Sequence, residues 1–153
     1  MPTHADLEVS LGDTKFYHQK INTIVRGSEH GIDLDEVRRY FRGYLHCWKT
    51  VLHFVRSMKA FDNDENGWKQ WCERWVGKHL DAPATTTANK LRELRDDDTH
   101  KTTLTLAMER GSAPVGTPLV FVEPVSDHLE LVTVTAKGVD ILEKLIATYA
   151  SIP

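Results

Sequence analysis

At 153 residues the chain is long enough to bury one core and short enough to read as a single domain spanning 1–153. Its net charge of −3, with 41% apolar and 27% charged residues, excludes a surface that coats nucleic acid through overall basicity, so any RNA contact must be local. No stretch approaches the roughly 20 apolar residues needed to cross a bilayer, no basic-then-apolar leader opens the chain, and Cys47 and Cys72 lack CxxC spacing; a cytoplasmic protein with no membrane segment is expected.

Phe16, Tyr17, Ile21, Ile24 and Val25 recur at helical spacing, which predicts a first amphipathic helix from Asp13 to about Arg26. Gly27 to Gly31 interrupts it, and Asp33 followed by Glu36 predicts a capped start for the next helix. From Leu34 to about Phe61, Val37, Phe41, Tyr44, Trp48, Val51, Val55 and Met58 alternate steps of four and three, the seam of a long packed helix. Leu45 and Leu52 widen the seam on one side and Tyr40 and Phe54 on the other. This helix is therefore expected at the centre of a bundle or at a subunit interface.

After the acidic turn Asp62-Asn63-Asp64-Glu65-Asn66-Gly67, the residues Trp68, Trp71, Cys72, Trp75 and Val76 share one face of a helix ending near His79. Aromatics at this spacing are more often core than ligand cage. Beyond Asp81-Ala82-Pro83, Thr85, Thr86 and Thr87 offer capping hydroxyls to a helix bearing Leu91 and Leu94, with Arg95 on its last turn. Past His100 the period becomes alternating. Leu104, Leu106 and Met108, the run Leu119-Val120-Phe121-Val122, and the run from Leu129 to Val134 read as strands, around a loop at 111–116 and a turn at 124–127. Thr135 then opens a closing helix bearing Ile141, Leu142, Leu145, Ile146 and Tyr149.

The expected fold class is α+β: predominantly a helical bundle of about four to five helices, helical over 13–97, with a small antiparallel β-sheet inserted at about 102–134 before a closing helix at about 136–150.

Arg95-Asp96-Asp97-Asp98-Thr99-His100 sits where the period changes. An Arg, a polar residue, three variable positions and a His within such an order of helices resembles the HEPN superfamily. The resemblance implies a helical domain that is a metal-independent endoribonuclease in active members, and an RNA-, nucleotide- or partner-binding module in others. Under it, His100 would move a proton from or to an RNA oxygen, Arg95 would clamp a phosphate, and Asp96 would orient one of them, with no cofactor. It also implies a homodimer, here through the long helix at 34–61. Asp96, Asp97 and Asp98 place negative charge between clamp and base; the plainer alternative is a solvated turn in which Arg95 pairs with them.

Other constellations allow different readings. His46 and His53 lie seven apart on the long helix, and His79 near the end of the next could join them around a divalent metal, although no HExxH or ExxH signature is present. His18, His30 and His128 read as surface or turn residues. Arg38, Arg39, Arg42, Lys49 and Arg56 form a basic set on the long helix, either an RNA-facing track or a solvated face paired with Asp35 and Glu36. A non-catalytic interaction domain using the apolar helix and tryptophan face is the competing function.

Overall fold

Thr3 and Asp6 cap one another: the Asp6 carboxylate accepts from the Thr3 amide at 2.7 Å, and Thr3 Oγ1 accepts from the Asp6 amide at 3.4 Å. From this start the first helix, α1, runs His4–Gly27 in the computed structural model, so it begins well before the expected Asp13. Leu7 and Leu11 extend the apolar stripe upstream, and the buried Thr14 hydroxyl is satisfied by the Ser10 carbonyl at 2.8 Å. The structure describes residues 1–27, 31–100, 106–110, 118–122 and 129–153, with the backbone alone at 95–100, 107–110 and 118. His30, His128, Leu104, the loop at 111–116 and the turn at 124–127 fall outside the described residues.

Asp33 caps α2, Leu34–Met58, accepting from the amides of Asp35 and Glu36 at 3.0 and 3.3 Å. Val37, Phe41, Tyr44, Leu45, Trp48, Val51 and Val55 are buried, as the seam requires. The helix stops at Ala60, whose φ of 62° lies in the left-handed region. Asp64 opens α3, Glu65–His79, by accepting from the Gly67 amide at 2.9 Å. Asp81, rather than one of the three threonines, opens α4, Ala82–His100: its carboxylate takes the Ala84 amide at 2.8 Å. The hydroxyls of Thr85, Thr86 and Thr87 instead bond back to the carbonyls of Asp81, Ala82 and Pro83. Pro83 is tolerated in this first turn because its missing N–H would have had no helical partner.

Strands β1, Leu106–Arg110, and β2, Pro118–Val122, pair antiparallel with Leu106 opposite Val122 and Met108 opposite Val120. The expected third strand at 129–134 is a correction. Only a single bridge joins Glu130 to Phe121, and Leu131 already belongs to the last helix, α5, Leu131–Thr148, followed by a 3-10 turn at Tyr149–Ser151. Glu130 accepts from the Thr133 amide at 2.7 Å and so caps this helix ahead of Thr135, which lies inside it. Burial of Leu131, Val132, Val134 and Thr135 outweighs the strand preference of the three β-branched residues among them.

The result is a predominantly helical bundle with a small β ribbon before its last helix. α5, not α2, is the helix enclosed on the most sides: it packs on α1, α2, α4 and β2, with ten buried residues including Gly138, Ile141, Leu142 and Leu145. A Cβ at Gly138 would collide with the Tyr44 hydroxyl and with Leu91 Cδ1, so this glycine lets α2 and α4 close on α5. α2 is buried along one broad face only. Among the described residues, no helix is long and apolar enough to cross a membrane.

Candidate functional site

α3 makes few close backbone approaches to its neighbours, whereas α2 and α5 pack directly on each other and on both α1 and α4. Indole rings bridge the gap. Trp71 donates from Nε1 to the Ile152 carbonyl at 3.2 Å, Trp75 to Thr148 Oγ1 at 2.9 Å, and from the opposite wall Trp48 to the Gly138 carbonyl at 3.2 Å. Trp68 lies nearly parallel to Trp71, with ring centroids 5.4 Å apart and an interplanar angle of 8°. Long rings that hold a helix at a distance leave space beneath them, and a cavity of about 110 Å³ opens between α2, α3, α4 and α5. All four tryptophans of the chain line it.

Three cations stand around the same space: Lys49 and Arg56 from α2, and Arg92 from α4. Arg56 is fixed by its Nε, which donates to the Phe61 carbonyl at 2.9 Å. Arg92 and Asn89 are exposed at the edge, with His53. The wall includes the half-buried Cys72, whose thiol is pushed up to about 11 by burial although Arg92, Lys49 and Arg56 each pull the other way. It is therefore a neutral wall group at ordinary pH, and the three cations project their fields onto one spot.

The expected stripe on α2 is present. At 100° per residue, Arg38, Arg39, Arg42, Lys49 and Arg56 fall within a sector of about 100°, which His46 and His53 share. Arg39, Arg42, His46 and His53 are exposed. Arg38 meets Asp35 at 2.9 Å. The apolar seam of α2 is buried within the chain against α1, α4 and α5.

Arg95, Asp96 and His100 lie on α4, whose helical backbone continues through His100 instead of breaking at the acidic run. Five residues of helix separate the Arg95 and His100 positions by about 140° around the axis and about 7.5 Å along it. Their side chains, with those of Asp97 and Asp98, lie outside the described residues. His46, His53 and His79 are not gathered: among the described residues no group of three His, Cys, Asp or Glu can hold a metal. His46 and His53 face solvent, whereas His79 packs its ring 5.4 Å from Trp75. His18 is not a surface residue either; its Nδ1 meets Thr135 Oγ1 at 2.7 Å in a partly buried contact.

The sequence pattern puts the Trp helix in the core but does not bring Trp48 to it, and it assigns neither Arg92 nor Asn89 to a site. One signal was available. Between Glu36 and Asp62 the chain has no carboxylate while carrying Arg38, Arg39, Arg42, Lys49, Arg56 and Lys59, a concentration of positive charge out of keeping with a net charge of −3. Compared with known proteins, the chain matches no family model, no curated protein and no solved structure.

Proposed function

We propose that this chain is an RNA-binding helical module, with single-stranded RNA lying along the cationic face of α2 toward the tryptophan-lined cavity. The observation that carries this is the continuity of the two features: Lys49 and Arg56 belong both to the α2 stripe and to the cavity lining. Proteins that hold single strands combine a positive track for the backbone with aromatic rings on which bases stack; α2 supplies the track, and the half-buried Trp68 is the tryptophan of the cavity that keeps accessible surface. Overall acidity then limits binding to this face. Cleavage is a separate property that rests on the resemblance of Arg95, Asp96 and His100 to the HEPN motif.

The test is a fluorescence-anisotropy titration of a short unstructured RNA with the wild-type chain and with a variant carrying both Arg39→Ser and Arg42→Ser. Saturable binding that the double variant weakens supports the module. An RNA left unbound at low salt removes it. The same RNA run on a denaturing gel, with Arg95→Ala and His100→Ala for comparison, reports cleavage independently.

A further inference from the structure

Phe16 is 50% exposed, more than any other phenylalanine, tyrosine or tryptophan among the described residues. It projects from α1, which packs closely on α2. Tyr17 meets its ring edge-on with centroids 5.5 Å apart, and Tyr40 of α2 continues the cluster 6.3 Å from Tyr17. Gly43 permits this approach of the two helices, since a Cβ there would stand 2.5 Å from Tyr17 Cζ. Gly43 lies four residues past Arg39 and three before His46, so the tyrosine ring sits one turn from each of two exposed members of the cationic sector. The aromatic cluster and the track share a border.

Lys20, one turn beyond Phe16 on α1, holds its Nζ 5.4 Å from the centre of the Phe16 ring. The ammonium marks a ring face that groups from solvent reach. A base stacked on that face gains more than an exposed cation–π contact supplies, and the displaced ammonium can then pair with a phosphate of the same strand. We infer that Phe16, seated against Tyr17 and Tyr40, is the platform on which a base of single-stranded RNA stacks while Arg39 and Arg42 hold the adjoining phosphates. This rests on the RNA-binding reading and adds to it a place for the bases, at the end of the α2 stripe about 25 Å along the axis from Arg56. Every base has a π-face, so the platform contributes affinity without sequence preference.

Fluorescence anisotropy tests this, with a labelled oligouridylate and an equal-length abasic sugar-phosphate strand each titrated with wild type, Phe16→Ser and Phe16→Trp over a range of salt. Phe16→Ser removes an exposed ring, so the fold should be kept, and a thermal melt checks that it is. The variant should weaken oligouridylate about tenfold, the loss of one base–aromatic stack, with the salt slope unchanged. Phe16→Trp should retain or tighten binding, and the abasic strand should bind wild type and Phe16→Ser alike. Unchanged oligouridylate affinity in Phe16→Ser, or an equal loss on the abasic strand, overturns the platform; if Arg39→Ser with Arg42→Ser still weakens the RNA, the α2 track stands without it. An RNA that the wild-type chain leaves unbound at low salt removes both.

Discussion

Trp48 donates its indole N–H to the carbonyl of Gly138 at 3.2 Å, joining the cavity wall on α2 to the most enclosed helix of the bundle. The contact depends on the absence of a side chain at Gly138, where a Cβ would strike the Tyr44 hydroxyl and Leu91. Gly138→Ala should therefore force α2 and α4 away from α5 and destabilise the chain by about 1–3 kcal/mol, despite the better helix propensity of alanine. Chemical denaturation followed by far-UV circular dichroism measures this. An unchanged midpoint would show that the helices yield without cost.

Ala60 occupies left-handed space at the end of α2 and is exposed, so nothing packs against its methyl group to compensate. Ala60→Gly relieves a strain of about 1–2 kcal/mol and loses part of that gain to the greater freedom of glycine in the unfolded chain. A net stabilisation of about 0.5 kcal/mol is expected, visible as a higher melting temperature.

His18 gives the fold a pH dependence. Burial lowers its pKa from the usual 6.5, with Asp140 opposing the shift. The unfolded chain therefore takes up this proton first as pH falls, so the contribution is complete above about 6.5 and is lost progressively below it. Melting temperature measured between about pH 5 and 8 should decline on the acidic side, and His18→Gln should flatten that decline. A parallel decline in the variant would assign the effect to other groups.

Cys72 should react slowly. With its thiol pushed up to about 11, only roughly one molecule in a thousand carries the thiolate at pH 8. Alkylation of a Cys47→Ser variant, which isolates Cys72, should run well below the rate of a free thiol. Arg92→Ser should slow it further, because that cation holds the thiol down. Faster alkylation in Arg92→Ser would place Arg92 outside the field of the pocket.

Local signals explain which parts of the fold were legible in the sequence. The Asp33 cap and the apolar seam of α2 report on contacts a few residues apart, and both are present in the structure. The segment Leu131–Val134 misleads because β-branched residues suit a strand locally, whereas its helical state is decided by enclosure among α1, α2 and α4, which no local window contains. The candidate site is nonlocal in the same way. Trp68, Trp71 and Trp75 mark a helix face, but that they stand off from Trp48 and leave a cavity follows from how separate helices are spaced by indole rings. Arg92 was hidden by the motif-bearing Arg95 one turn further along α4.

The salt dependence of RNA binding tests the central claim most directly. If the strand lies along Arg39, Arg42, Lys49 and Arg56, each phosphate contact contributes about 0.7 to the slope of log affinity against log salt, and a slope of about −3 is expected for the wild-type chain. Arg39→Ser with Arg42→Ser should reduce its magnitude by about 1.4. A slope near zero, or one that the double substitution leaves unchanged, would contradict an RNA track on α2.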